Sequence, residues 1–353
     1  MNDSQAGDSS GLSLDIRVAG EDDGRRWDSF VCQSAEGTFF HRFGWRRVVE
    51  AGLGHRPWFL LAERGPVVEG VLPLAEVRSV LFGHRLISLP GCAYGGIVAA
   101  TDAARRLLAQ EACRLADRLG VDALELRNRS LQRSDWPRSD LYVTFRKEIT
   151  GDADANMKAI PRKQRAMVRK GIEAGLKSRL VDGLDEFYPI YATSVRNLGT
   201  PVFGKRFFAT LLDEFRPMTE IAVISHGSQD IAAVMSFFFR DEVLPYYAGS
   251  VEAARTLKGN DFMYWDLMCR SAERGVRVFD YGRSKSGTGS FDFKKNWGFV
   301  PEPLSYEYYL VRAKQVPAVN PTNPKYRLFI DAWKRLPMPV ANALGPFLAR
   351  SLG

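Results

Sequence analysis

The stretch Arg118 to Leu126 and the stretch Glu273 to Tyr281 follow one pattern. In each, an amphipathic run stops at a glycine, Gly120 or Gly275, and a short apolar run then ends beside an acid, Glu125 or Asp280. Glycine after a helical run suits the left-handed terminal turn that other residues resist. An apolar run bounded by turn residues reads as a buried strand. A second match lies upstream, Val68 to Arg78 against Ile231 to Arg240. An internal repeat with matching element order predicts two domains of one fold, and 353 residues are enough for two. In each half, helices precede an antiparallel meander, a further helix and a further strand. That order predicts an α/β (α+β) fold in which a mixed, mostly antiparallel sheet is flanked by helices.

The first domain is expected over residues 14–150. Residues 1–13 are polar and read as disordered, and Leu14 to Val18 alternates as a first strand. Helices are expected at Asp23 to Cys32 and Phe43 to Gly52, and strands at Trp58 to Glu63, Val67 to Arg78 and Arg85 to Leu89. Thr101 or Asp102 caps a helix with Ala104, Leu108, Ala112 and Leu115 on one face. Strands at Val121 to Leu126 and Leu141 to Ile149 complete the unit. Residues 151–182 read as a basic helical joining segment, with a stripe of Ile160, Val168, Ile172 and Leu176 and with Pro161 at a helix start. The second domain is expected over 183–311, and 312–353 form a helical tail.

The net charge of +8 points to an anionic partner, a phosphate-bearing cofactor, RNA or an acidic membrane surface, or else to a solubilising surface. Four scattered cysteines and four scattered histidines predict neither a metal site nor a redox motif. The polar N-terminus is not a signal peptide, and no apolar run is long enough to span a membrane. A cytoplasmic protein is expected.

Three stretches carry residues suited to chemistry. Tyr247 lies on a strand that runs into Arg255, Lys258, Gly259 and Asn260 at a helix start. Free N–H groups, the helix dipole and two cations there suit a pyrophosphate or a carboxylate; an ordinary helix entry is the alternative. Next, Phe279 to Phe299 crosses a Gly/Ser loop. Asp280 suits orienting or deprotonating an amine, Lys294 suits stabilising an oxyanion, and Arg283 with Lys285 suits an anionic group; a surface loop before a lysine-rich helix is the alternative. In Pro90 to Gly96, Gly95 and Gly96 beside Tyr94 let a ligand approach the backbone, or form a plain hairpin. Cys92 has no evident base to activate it. Arg162, in the basic joining segment, belongs to a groove edge that receives phosphates or to a solvated helix face.

The element order, with Y-Y-A-G-S (246–250), R-T-L-K-G-N-D (255–261), G-V-R-V-F-D-Y-G-R (275–283) and F-K-K-N-W-G-F (293–299), resembles the second domain of the FemAB family, whose members are built from two tandem GNAT-like acyltransferase domains. The resemblance covers about Leu14 to Val311. H-R-F-G-W (41–45), L-P-G-C-A-Y-G-G-I (89–97) and N-P-K-Y-R-L-F (323–329) resemble the FemAB-like proteins of PEP-CTERM (exosortase) and exopolysaccharide systems. The family implies acyl transfer to an amine, with aminoacyl-tRNA as donor in the Fem peptidyltransferases. It also implies that a Phe-Lys pair, here Phe293 and Lys294, assists the tetrahedral intermediate. Two features depart from the pattern: the coiled-coil arm of some Fem proteins has no counterpart, and the GNAT phosphate loop is only approximated by Arg255 to Asn260.

The combined expectation is an acyltransferase without a metal, using acetyl-CoA, another acyl-CoA or aminoacyl-tRNA. Its acceptor is an amine of a small or lipid-linked saccharide precursor. Lys294, Phe293 and Asp280 form the reacting centre, and Arg255, Lys258, Gly259 and Asn260 hold the donor. Tyr94, Gly95, Gly96, Tyr247, Arg283 and Arg162 form the acceptor side. The tail, with Tyr326, Phe329, Ile330, Trp333 and Leu336 at helical spacing, packs on the domains or touches the inner membrane face. A non-catalytic protein that binds a glycan or lipid-linked precursor is the alternative. A nucleic-acid module is a third reading, opposed by aromatic residues that follow core spacing.

Overall fold

The computed structural model describes residues 12–79, 82–317 and 324–351, with residues 324–327 described in backbone only. The expected disorder of residues 1–13 lies outside it up to residue 11, as do the side chains of Lys325, Tyr326 and Arg327 in the tail.

The first part of the chain supplies β1 (Leu14–Val18), β2 (Arg56–Arg64), β3 (Val67–Ser79), β4 (Gly83–Ile87), β5 (Val98–Ala99), β6 (Ala123–Asn128), β7 (Arg138–Ser139) and β8 (Tyr142–Glu148). The rest supplies β9 (Lys177–Val181), β10 (Thr219–His226), β11 (Gln229–Phe239), β12 (Glu242–Ser250), β13 (Val278–Asp280), β14 (Ser284–Lys285), β15 (Pro301–Pro303) and β16 (Ser305–Leu310). The helices are α1 (Gly24–Gln33), α2 (Trp45–Arg47), α3 (Asp102–Leu119), α4 (Ala153–Ala159), α5 (Arg162–Glu173), α6 (Phe187–Asn197), α7 (Lys205–Phe215), α8 (Glu252–Leu257), α9 (Gly259–Glu273), α10 (Gly289–Asn296), α11 (Pro324–Lys334) and α12 (Met338–Ala349).

Two eight-stranded sheets result. One runs β1-β2-β3-β4-β6-β16-β7 with β5 beside β3; the other runs β9-β10-β11-β12-β13-β8-β14 with β15 beside β8. The two orders correspond strand for strand. The parallel pairs β4–β6 and β12–β13 sit at the same place in each. The duplicated helix stops are also equivalent, since Gly120 and Gly275 both adopt positive φ, 59° and 78°. Thr101 caps α3 by accepting the Ala104 N–H.

The sheets depart from the sequence boundaries in two ways. Strand β8, from the first part, lies antiparallel to β13, while β16, from the end of the second, lies antiparallel to β6. Each sheet is therefore completed by a strand from the other segment, and neither 14–150 nor 183–311 holds a whole sheet. The segment 151–182 is not helical throughout. It ends in β9, which pairs with β10 as β1 pairs with β2. Its sequence, Lys177 to Val181, exposes Lys177, Arg179 and Leu180, so the alternation that marks a strand is weak.

The largest core cluster holds side chains of both sheets, including Phe59 and Val71 from one and Met235 and Phe237 from the other. Phe39 stacks on Phe237 at 4.4 Å between ring centres. Burying one such side chain contributes about 1.5–3 kcal/mol. In the basic segment Ile160, Val168 and Leu176 are buried as expected, but Ile172 stays 48% exposed. The tail packs back on the second half: Ile330 lies against Gly199 and Gly345 against Val202. No helix among the described residues is long and apolar enough to cross a membrane.

Candidate functional site

The parallel strands of the second sheet separate almost at once. Only Glu242–Val278 and Val243–Phe279 are in register between β12 and β13. On its other side β12 carries a bulge: Met235 faces Tyr247 and Ser236 faces Pro245, which leaves Tyr246 as the extra residue. Proline, lacking an N–H, is tolerated at such a point. β13 ends on Asp280, and the chain continues through Tyr281, Gly282 and Arg283 as the free arm of the opening.

Lys294 closes that arm from α10. Its ammonium donates to the carbonyls of Tyr281 at 2.7 Å, Gly282 at 3.1 Å and Arg283 at 3.1 Å. Three acceptors match the three N–H donors of the charged form. Burial works against that charge and pushes the lysine down to about 7, with Asp280 opposing the shift and Arg283 adding to it. Phe293, one residue earlier, packs its ring against Tyr264 at 5.6 Å and Trp297 at 6.1 Å.

Asp280 is 1% exposed. Its carboxylate accepts from the Gly282 N–H at 2.7 Å and from the Tyr94 hydroxyl at 3.1 Å, and it lies 3.2 Å from the Arg146 guanidinium. Thr144 on β8 is hydrogen-bonded to the same Tyr94 hydroxyl. Burial and the nearby Asp280 charge push the Tyr94 phenol up, which keeps its proton in place. This buried cluster joins a loop of the first sheet to two strands of the second. Arg283 has its guanidinium 4.8 Å from the Tyr142 ring and donates to the Tyr306 hydroxyl at 3.2 Å. It forms no ion pair among the described residues, so aromatic faces and a hydroxyl partner its charge.

The equivalent opening in the first sheet is blocked. Two residues after the acid the chain carries Arg127 in one half and Gly282 in the other. Arg127 donates to the carbonyls of Leu89 and Cys92 and pairs with Glu125 at 2.7 Å. All of these groups are buried, and the charge of Arg127 holds the Glu125 carboxyl below its ordinary value despite its burial.

The residues expected to hold a donor lie elsewhere and in a different form. Instead of an open loop, Val251 leads into α8, and Lys258, in the left-handed region with φ 61°, joins α8 directly to α9. The run A-A-R-T-L favours helix. Gly259 is buried tightly against Ala254 and Ile231, while Arg255 is exposed and Lys258 reaches back to the Arg255 carbonyl. The adjoining Asp261 accepts from Gln164 and from the Trp297 indole, and burial pushes its carboxyl up. Tyr247 sits in the aromatic core with Phe207, Phe208 and Phe237 around it, and its buried hydroxyl has no partner among the described residues. Arg162 is exposed at the start of α5.

A cleft of about 340 Å³ opens beside the Tyr94 cluster, lined by Tyr94, Gly96, Asn128, Arg129, Thr144 and Glu302 among others. Of the expected acceptor residues it includes Tyr94 and Gly96. The missing Cβ of Gly96 is filled by Asn128, whose Oδ1 would lie 1.8 Å from it. Protein packing therefore demands this glycine whether or not a ligand approaches. His41 supports the loop from below: its Nε2 is 3.0 Å from the Gly96 carbonyl, and burial pushes the ring down to about 4, so it is neutral. Arg129 and Glu302 were not evident in the sequence, where one is the second arginine of R-N-R and the other stands between two prolines. The Arg129 guanidinium lies 5.5 Å from the Tyr94 ring and has no acidic partner among the described residues. Glu302 is paired in register with Thr144 and is exposed. Among the described residues no cluster of three or more His, Cys, Asp or Glu side chains is placed to hold a metal.

Residues 157–295 match the family of acetyltransferase (GNAT) domains, an interval that ends just after Lys294. No protein of curated function matches the chain by sequence. Among solved structures, FemX is similar over 90% of this chain and 100% of its own, at 13% identity and a TM-score of 0.65. L-PGS from Bacillus licheniformis is similar over 91% of this chain and 99% of its own, at 14% identity and a TM-score of 0.53. A tandem GNAT protein from the clavulanic acid biosynthesis pathway covers 84% of this chain and 97% of its own, with 14% identity and a TM-score of 0.53. The fold is that of tandem GNAT-like domains.

Proposed function

We propose that this protein is an acyltransferase that moves an acyl or aminoacyl group onto an amine, with its chemistry in the second sheet. One observation carries the reading: Lys294 donates to the carbonyls of the free arm of the second sheet's open strand pair, whereas Arg127 occupies the same place in the first. The amine nitrogen forms the new C–N bond, and the bond from the carbonyl carbon to the donor's sulfur or oxygen breaks. The acceptor, held as an ammonium, first gives one proton to solvent, and a second N–H proton passes to the departing thiolate or alkoxide as the C–N bond forms. Lys294 stabilises the intervening oxyanion; the bulged Tyr246 lies at the same opening. Phe293 braces Lys294, and Asp280 orients through Tyr94 and Gly282.

The cleft beside Tyr94 receives the acceptor. Glu302 holds its ammonium and Arg129 an anionic part, while Arg283, which is not in the cleft's lining, keeps its charge on Tyr142 and Tyr306. The donor is an acyl-CoA or an aminoacyl-tRNA; the FemX and L-PGS likenesses support the second. Arg255, Lys258, Gly259 and Asn260 remain the proposed contact for donor phosphate, by way of the α8–α9 corner, with Arg162 on the adjoining basic face. Tyr247 backs the opening from the core. We infer an acceptor among cell-envelope or exopolysaccharide precursors of an exosortase system, met at the cytoplasmic face; the FemAB-like motifs support this reading.

The test is mass spectrometry of acceptors after incubation with acetyl-CoA, aminoacyl-tRNA and nucleotide-linked amino sugars. A mass increment that is lost in Lys294→Ala supports transfer. A non-catalytic precursor-binding protein is the second reading, favoured by the saturation of all three Lys294 N–H groups. It predicts retained ligand binding, no increment with any donor, and no effect of Lys294→Ala.

A further inference from the structure

Helix α12 is apolar on both sides. Ala341, Gly345 and Ala349 face the protein and are buried. The opposite stripe consists of Pro339, Val340, Ala343, Leu344 and Phe347 and is exposed. These positions recur at the spacing of one helix face. Leu344 is 49% and Phe347 68% exposed. A helix that is apolar all round belongs in a core or against an apolar phase, yet no described residue covers this outer stripe. Leu328 on the neighbouring α11 is 78% exposed as well.

Charge at the rim selects the partner. Lys334 and Arg335 precede α12 and are exposed. Arg350 follows it, with its guanidinium 5.8 Å from the Phe347 ring. Lys205 and Arg206 open α7 next to Gly204, which touches Pro346 of α12. Among the described residues of α11, α12 and the turn between them Asp331 is the one acid, and Asp185 is already paired with Lys205 at 3.5 Å. Cations therefore dominate. An apolar stripe with cations at its edge matches a bilayer surface with anionic headgroups, where the apolar side chains enter the acyl boundary and the cations stay with the phosphates. A second copy of the chain would set the same positive rim against itself.

We propose that the outer face of α12 docks the protein on an anionic membrane surface, with Val340, Leu344 and Phe347 inserted and Lys334, Arg335 and Arg350 on the headgroups. Transfer chemistry is not needed for this docking, so the two readings stand or fall separately.

Flotation of the full chain with phosphatidylcholine vesicles, with and without about 30% phosphatidylglycerol, tests it. The protein should float with the anionic vesicles and stay behind with the neutral ones. Leu344→Glu with Phe347→Glu should cut the bound fraction at least about tenfold. Lys334→Glu with Arg335→Glu should cut it by about fivefold per charge. Unchanged thermal melts of both variants would show that the fold persists. Absence of flotation, or flotation unaffected by the Leu344/Phe347 pair, overturns the proposal. So does light scattering that shows a dimer in the parent chain and a monomer in that variant, since the stripe would then join two copies.

Discussion

Lys294 makes two pH-dependent quantities move in opposite directions. Burial brings it to about 7 from an ordinary lysine value near 10.5. Below about 7 it is charged in both the folded and unfolded chain. Between about 7 and 10.5 the unfolded chain binds the extra proton, so its part of the folding stability rises with pH across that window. An ammonium acting on an oxyanion loses effect over the same range. Denaturant titrations should therefore show stability rising above pH 7 while transfer falls. Lys294→Met should remove this stability slope and lower the transfer rate about 10²–10³-fold. A rate that instead rises through that window in the parent chain and no longer does so in Lys294→Met would make Lys294 a base. A second residue-scale expectation concerns Arg127. Its removal in Arg127→Met strands the buried Glu125 carboxylate with Arg85, 3.7 Å away, as its one ion-pair partner among the described residues. The loss should be about 3 kcal/mol in a urea titration.

At the scale of elements, the exchange of β8 and β16 has consequences for truncation. β16 covers the edge of β6 with Tyr306, Tyr308 and Leu310 in register with Arg127, Glu125 and Ala123. A chain stopped after Pro303 leaves that buried strand as an open edge, and such edges pair with other chains. It should aggregate or lose its near-UV circular dichroism, although every residue of 14–150 is present. A well-folded monomer from that truncation would count against the exchange. Helices were legible because their signals are local: the Thr101 cap, the Gly120 and Gly275 stops and the apolar stripe of α3 all lie within a few residues. β9 was not legible, since a polar edge strand lacks the alternation that half-burial imposes. Nor was α8, where an expected phosphate loop has helical composition.

For the whole molecule, the shared core and the exchanged strands link the two sheets into one cooperative unit. Heating should give a single calorimetric transition whose van't Hoff enthalpy matches the calorimetric one. Two resolved transitions would mean that the sheets unfold separately. The same linkage assembles the candidate site. Tyr94 comes from a loop of one sheet, while Asp280 and Thr144 come from strands of the other. Arg129 and Glu302 meet at one cleft from positions far apart in the chain. Neither stood out in the sequence, because the only signal for either is a neighbour that folding supplies.

The sequence by itself determined the repeat, the helix ends at Thr101, Gly120 and Gly275, the order of the longer strands along the chain and the tandem fold class that follows from them. It also singled out the Asp280 to Lys294 stretch, whose acid, glycine and lysine lie close along the chain. Those features rest on periodicity and turn chemistry, which act between near neighbours. Only the tertiary structure decided which sheet each of β8 and β16 completes. It alone put Arg127 into one strand opening and Lys294 beside the other, and Tyr247 into the core. Strand partners and burial depend on contacts between distant segments, and a strand's own residues specify its faces without specifying its neighbour.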